Sequence, residues 1–83
     1  MFSYQNRVDN IPDYVFQSER PLSFIKYVGQ NTLFASDDRN NLIILEASTL
    51  RLIRSLPYGH SLRDCIGSSH HVFCAFEQKL VAF

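Results

Sequence analysis

A weak internal repeat is the feature of this chain that most limits its fold. Two short apolar segments separated by a polar turn recur at an offset of about 38 residues, a spacing typical of repeats built from short strands. Three pairs of segments align, the middle pair one residue out of step: Val28-Gly29 with Ile66-Gly67, Leu33–Ser36 with Val72–Ala75, and Asn41–Leu45 with Lys79–Phe83. One such unit cannot bury both of its faces alone. The repeat therefore predicts an all-β chain of short antiparallel strands that is part of something larger or closes by association.

Size and charge exclude several classes of protein. The chain has 83 residues, enough for one small domain, and eight basic and eight acidic side chains give a formal net charge of zero. Nucleic-acid binding rests on an excess of Lys and Arg, so a nucleic-acid partner is not expected; Arg51 and Arg54 are the nearest approach to a basic cluster. No apolar run approaches the roughly 20 residues that span a bilayer, and Met1–Arg7 lacks the features of a secretory signal. The expected location is the cytoplasm or the nucleus, without a membrane partner.

Residues 1–21 differ in pattern from the rest and are interpreted as an N-terminal docking segment or a closing strand. Their aromatic side chains are scattered among polar ones: Phe2, Tyr4, Tyr14 and Phe16. Asn10 is a candidate cap for a short helix entered near Pro12, and a strand over Asp13–Gln17 is the alternative. The segment is expected to be irregular or short-helical, and Pro21 ends it.

From Leu22 onward the pattern is that of short strands. A first repeat over residues 22–57 contains four candidates: Leu22–Val28, Thr32–Ser36, Leu42–Leu45 and Leu50–Ser55. An incomplete second repeat over residues 58–83 contains three: Leu62–Ile66, Val72–Phe76 and Lys79–Phe83. The apolar run Leu42–Leu45 is typical of a strand buried on both faces. A helix over Leu42–Ile53 is the alternative, but the paired Ile residues and the preceding Asn pair favour strands.

These segments resemble a WD40-like β-propeller repeat. Asp37–Glu46 looks like the turn and third strand of a blade, and Thr49–Leu56 looks like its outer strand. Gly59-His60 falls where such repeats often place a Gly-His pair, in the connection to the next blade. The resemblance implies a scaffold that binds protein partners by shape and by strand or loop contacts.

The chain departs from the pattern of that family at the residues that link its strands. The family joins a His, a turn Asp, a strand Ser or Thr and a Trp in a hydrogen-bonded tetrad, for which Ser36, Asp38 and His60 are the candidates. Leu45-Glu46 stands where the family has Trp-Asp, and the chain has no Trp. The turn Phe76–Gln78 of the second repeat has no Asp, so no complete tetrad is expected within one repeat.

The number of strands leaves the architecture open at one point. Propellers use about four to eight four-stranded blades, and residues 22–83 supply fewer than two. The chain is a part of a longer propeller, a subunit that completes its sheet with another chain, or a compact β-sandwich or barrel that closes on itself. Lys79–Phe83 is an apolar strand without a fourth partner, and its edge is a template for strand addition.

One cluster combines the residue types that bind zinc, in a Cys-x4-His-His-x2-Cys pattern: Cys65, His70, His71 and Cys74. If Val72–Phe76 is a strand, His70 and Cys74 face one side and His71 faces the other, which divides the set. A polar turn beside reduced, partly buried thiols is therefore expected, and a hairpin disulfide is the alternative. No metal or other cofactor is predicted.

Other groupings favour structural roles. His60, Ser61 and Asp64 lack the strained nucleophile turn of a hydrolase. Asp37-Asp38 with Glu46 lacks the alternating ligands of a calcium loop, so the two aspartates are expected to shape a turn. Most of the aromatic side chains on the strands are expected in the core: Phe24, Tyr27, Phe34, Phe73, Phe76 and Phe83.

The sequence thus predicts a non-enzymatic protein-interaction or scaffold module, with protein partners and association through an open strand edge as a homo-oligomer or a larger complex. The candidate contact residues lie in the turn, in the connection and on the last strand: Asp37, Asp38, Arg39, Tyr58, His60, Leu80 and Phe83. The alternative is a small self-contained β-barrel that binds metal or nucleic acid.

Overall fold

The computed structural model of the protein describes residues 11–83, so Phe2, Tyr4 and the candidate cap Asn10 lie outside the described residues. The described part contains seven strands and no helix: β1 Leu22–Gly29, β2 Thr32–Asp37, β3 Leu42–Glu46, β4 Leu52–Leu56, β5 Leu62–Gly67, β6 Val72–Phe76 and β7 Leu80–Ala82. They form two antiparallel sheets, ordered β1-β2-β3-β4 and β5-β6-β7. The predicted all-β class is confirmed. A closed barrel is not formed in residues 11–83, because the two sheets remain separate.

The helix considered for Leu42–Ile53 is wrong. β3 pairs with β2 along one edge and with β4 along the other, so its backbone groups are satisfied by neighbouring strands. Leu42, Ile43 and Leu45 are buried, as expected of a strand covered on both faces. Leu50 has a φ of 59°, in the left-handed region that interrupts a right-handed helix.

Left-handed residues also shape the hairpins of the first sheet. Gln30 and Asn31 join β1 to β2 with φ values of 53° and 60°. Two central residues with positive φ define the type I′ turn, whose twist matches that of the strands it joins. Asn40, with a φ of 62°, closes the turn between β2 and β3.

The two sheets share one plan, which confirms the repeated strands. The first strand of each sheet bulges near its start, at Ser23 in β1 and at Arg63 in β5. The pairs after the bulge give the counterparts: Phe24↔Ser36 matches Asp64↔Ala75, Lys26↔Phe34 matches Ile66↔Phe73, Ser36↔Leu42 matches Ala75↔Leu80, and Ala35↔Ile43 matches Cys74↔Val81. The second and third strands therefore align as the sequence indicated.

The first strands correspond differently from the sequence alignment. Gly29 and Gly67 both end their strands, yet the counterpart of Ile66 is Lys26 and not Val28. β1 has eight residues and β5 has six. The additional length of β1 includes a second irregularity, at Val28, that β5 lacks.

Each sheet has two faces, which we call front and back. The residues that define them are as follows: Phe34, Leu42 and Ile44 on the front and Ala35, Ile43 and Leu45 on the back of the first sheet; Ile66, Phe73 and Leu80 on the front and Cys65, Cys74 and Val81 on the back of the second sheet. Counterparts lie on the same-named face in both sheets. If the front of one sheet packs on the back of the next, a further sheet can be added by the same kind of contact.

The core forms where the front of the first sheet packs on the back of the second. Its buried members come from both sheets: Val28, Phe34, Leu42, Leu62, Cys65, Cys74 and Phe76. The sheets approach most closely at β1 and β5, where a Cβ atom on Gly67 would lie 1.8 Å from the carbonyl oxygen of Val28. The two backbones therefore meet with no side chain between them.

The back of the first sheet carries a second, smaller core. Ala35, Ile43 and Leu45 are buried there under Phe16 and Leu50. Residues 11–21 form neither the short helix near Pro12 nor the strand over Asp13–Gln17, and their path is irregular. Ile11, Tyr14 and Val15 are 87%, 54% and 67% exposed, so this segment lacks the buried apolar face that stabilises a short helix.

Candidate interaction surface

The turn between β2 and β3 is organised by Asp37, which is buried. Its Oδ1 accepts hydrogen bonds from the backbone N–H groups of Arg39 and Asn41 at 2.9 and 3.0 Å, and its Oδ2 accepts one from the Asn41 side chain at 2.8 Å. Burial by itself would raise the pKa of Asp37, but these hydrogen bonds outweigh it and lower the pKa below its ordinary value. Asp37 therefore holds the turn together as a carboxylate and offers little to a partner.

Asp38 ties the same turn to the N-terminal segment. Both of its carboxylate oxygens accept hydrogen bonds from the guanidinium of Arg20, each at 2.9 Å, and its N–H donates to the carbonyl of Pro21. The hydrogen bond from Arg20 lowers the pKa of Asp38. Arg39, the third candidate of the turn, is exposed.

The structure brings this turn together with the connection between β4 and β5. The N–H of Gly59 donates to the carbonyl of Asn40 at 3.1 Å. Beside Gly59, the ring of Tyr58 stacks on Phe76 with centroids 4.5 Å apart, and His60 lies edge-on to Tyr58 at 5.6 Å. Two of the candidate regions thus form one continuous piece of surface.

Phe83 joins the same aromatic cluster, whereas Leu80 does not. The Phe83 ring lies edge-on to Tyr58 at 6.1 Å and to Phe34 at 6.0 Å, and the ammonium of Lys79 lies 5.5 Å from the centre of the Tyr58 ring. Phe83 is therefore a partly exposed residue that contacts Phe34 of the first sheet. Leu80 lies on the front of the second sheet and is 73% exposed.

The front of the second sheet is an exposed apolar surface, and Leu80 is its only member that was predicted from the sequence as a contact residue. Ile66 is 67% exposed and Phe73 is 37% exposed. They flank a shallow groove of about 200 Å³, which Asp64, Cys65, Ala75 and Leu80 complete. Phe73 was expected in the core, where Phe34 and Phe76 do lie. The sequence signal that indicates this exposed face is the alternation along β5 and β6. Ile66 and Phe73 are each next to a buried cysteine, Cys65 or Cys74, and therefore point to the opposite face.

The two cysteines face each other in the core. Cys65 pairs with Cys74 across β5 and β6, their Sγ atoms lie 3.1 Å apart, and both are free thiols. The hydrogen bond between them and burial raise the pKa of the Cys65 thiol. His70 and His71 lie exposed in the preceding loop, and within residues 11–83 no group of three or more potential ligands is placed to hold a metal ion.

The other groupings are also divided among separate partners. The carboxylate of Asp64 accepts from the ammonium of Lys26 at 3.0 Å and from the N–H of Cys65, while the ring of His60 lies against Tyr58 and Phe76. These contacts differ from the hydrogen-bonded chain that a catalytic triad requires. Glu46, considered for a cation site, accepts from Thr49 and pairs with Arg51.

The candidates for the propeller tetrad are likewise occupied elsewhere. Ser36 lies 3.3 Å from Ser23, hydroxyl to hydroxyl, and Asp38 pairs with Arg20. His60 makes its described contacts with aromatic rings. The described residues therefore form a stack of two sheets with matching strand registers, in which the front of the first sheet packs on the back of the second.

Comparison of the chain with protein-family models, with curated proteins and with solved structures finds no match. The resemblance to WD40-like repeats therefore stays a prediction from the sequence. In the part of the chain that the structure describes, no helix is long and apolar enough to cross a membrane.

Proposed function

We propose that this chain is a non-enzymatic protein-interaction module, built as consecutive units of a propeller-like stack, which binds a protein partner on the front of its second sheet. One observation carries the proposal: Ile66, Phe73 and Leu80 form an exposed apolar surface, although Phe34 and Leu42, the counterparts of Phe73 and Leu80 on the first sheet, are buried. Contiguous exposed apolar surface on a folded protein is typical of interaction sites.

The face, rather than the edge, of the second sheet is the main contact. β7 pairs only with β6 in the described residues, so its other edge is open to an added strand. It is three residues long, however, and offers few backbone groups for pairing. The face offers side chains from three strands.

The two free thiols favour a reducing compartment, so we propose the cytoplasm or nucleus as the site of action. The proposal assigns no cofactor.

Site-specific photo-crosslinking tests the proposed function. A benzophenone side chain at Leu80, in the full chain expressed in the cells that make it, should give a discrete protein adduct on irradiation. The same group at the exposed Ser69 is the matched control and should give none. Adding Phe73→Asp to the Leu80 probe should remove the adduct, because the charge disrupts the apolar face. Equal labelling from both positions, or no adduct from Leu80, would contradict the proposal.

A further inference from the structure

Equivalent positions in the two sheets differ sharply in exposure. On the front face, Phe34 and Leu42 of the first sheet are 2% and 1% exposed, whereas their counterparts Phe73 and Leu80 are 37% and 73% exposed. The back face shows the reverse. Cys65 of the second sheet is 3% exposed, whereas its counterpart Ile25 is 64% exposed. The stack therefore leaves the front face of the second sheet uncovered at one end. At the other end it leaves part of the back face of the first sheet uncovered.

Part of the uncovered back face lies on β1, and Leu52 on β4 is a further exposed residue of that face. Phe16 and Leu50 pack against the buried cluster on that face, but Ile25 and Tyr27 on β1 are 64% and 59% exposed. Within the chain, β1 and β5 are the strands that come closest across the two sheets. β1, which carries the exposed Ile25 and Tyr27, is thus also the strand of the first sheet that lies nearest to a stacked sheet.

We propose that the partner of the exposed front face is a second copy of this chain, which docks through Ile25 and Tyr27 on its own β1. This inference rests on the proposed function and names its partner. The contact continues the front-to-back interface that already joins the two sheets of one chain. Tyr27 in the first sheet is the counterpart of Gly67 in the second, since Tyr27 pairs with Leu33 as Gly67 pairs with Val72. Because Tyr27 has a side chain, β1 of the docked copy lies further from β5 than Val28 lies from Gly67 within one chain.

The geometry fixes the type of assembly. Each copy offers one front face and one back face, and these are different surfaces, so the interface is heterologous. Copies therefore add head to tail, and the rotation between successive copies decides whether the assembly closes into a ring or continues as an open filament. Two front faces, or two back faces, are not expected to pair.

Complementation between two variants tests this arrangement by light scattering coupled to size exclusion. The wild-type chain should exceed its monomer mass of 9.6 kDa as its concentration rises. Leu80→Asp removes the front face and Ile25→Asp removes the back face, so each alone should stay monomeric. An equimolar mixture should form a heterodimer of about twice 9.6 kDa and no larger species, because only one intact interface remains.

Ile11→Asp is the matched control, since Ile11 is 87% exposed and lies on neither face; it should associate as the wild-type chain does. Circular dichroism should show that all three variants keep the fold. A wild-type chain that stays monomeric, or a mixture that stays monomeric, would overturn the second copy as partner. The proposed function would then stand or fall separately, on whether the Leu80 crosslinker captures a different protein.

Discussion

The carbonyl oxygen of Val28 occupies the space that a side chain on Gly67 would need, with 1.8 Å between that oxygen and the position of a Cβ atom. This contact joins the end of β1 to the end of β5 and sets how closely the two sheets can stack. Since the obstacle is backbone, it cannot move aside as a flexible side chain can.

Overpacking a filled site usually costs about 1–3 kcal/mol. Gly67→Ala should lower the free energy of unfolding by an amount at the upper end of that range. Urea denaturation followed by circular dichroism measures this cost. Ser69→Ala, two residues further on and exposed, should change the free energy of unfolding by less than about 0.5 kcal/mol. Equal stability of the two variants would show that β1 and β5 do not meet at Gly67.

Phe83 and Leu80 lie close together in the sequence but should have different roles. Phe83→Ala removes packing against Phe34 and Tyr58 and should cost about 1–3 kcal/mol, less than a fully buried Phe. Leu80→Asp should leave the free energy of unfolding within about 0.5 kcal/mol, because Leu80 is exposed in the single chain. Urea denaturation at a concentration where the chain is monomeric separates the two effects. A large loss of stability in Leu80→Asp would place Leu80 in the core.

The ion pair between Arg20 and Asp38 predicts a dependence on pH. The pKa of Asp38 is lowered in the folded state by the hydrogen bond from Arg20. The stabilisation is therefore fully present above the ordinary pKa of an unfolded Asp, about 3.9, and is lost as the pH falls through the lower folded pKa. Carbon-13 NMR titration of the side-chain carboxyl measures that pKa directly.

Arg20→Gln should raise the pKa of Asp38 toward its ordinary value. Asp37 provides the internal control, because Asn41 and the N–H of Arg39, rather than mainly Arg20, keep its pKa low. Lys26→Gln provides a second control and should raise the pKa of Asp64 instead. An unchanged Asp38 titration in Arg20→Gln would mean that the N-terminal segment does not dock on the turn.

The thiols of Cys65 and Cys74 should be protected in the folded chain. Both are buried, so a reagent in solution reaches their sulfur atoms only when the structure opens. Reaction with a disulfide reagent such as Ellman's should be at least about tenfold slower in the native chain than in urea, where two thiols should be counted. Gly67→Ala should speed the native reaction by loosening the contact between sheets. Equal rates in the native and unfolded chains would contradict the buried position.

Much of the fold could be predicted because turns and apolar runs punctuate this chain clearly. β6 has the predicted bounds Val72–Phe76, and Leu42–Leu45 lies within β3, with all but Ile44 fully buried. The correspondence between residues of β1 and residues of β5 could not be predicted. It depends on the register shift at Val28, which no residue type in the sequence indicates.

The site could be predicted only in part. Phe73 lies in a strand whose residues are all apolar, and such a run does not distinguish a face that is covered from one that is open. Asp37 and Asp38 are adjacent and identical in type. Only the path of the turn, with Asn40 in the left-handed region, decides that the first is buried and the second reaches Arg20.

The orientation of the second sheet is the central claim, since the open front face follows from it. Nuclear Overhauser contacts between assigned side chains of the monomeric chain measure it most directly. We expect contacts from the ring of Phe83 to that of Phe34, and none from the methyl groups of Leu80 to any side chain of the first sheet. Contacts from Leu80 to Phe34 or Leu42 would mean that the second sheet packs by its opposite face, and would contradict the account.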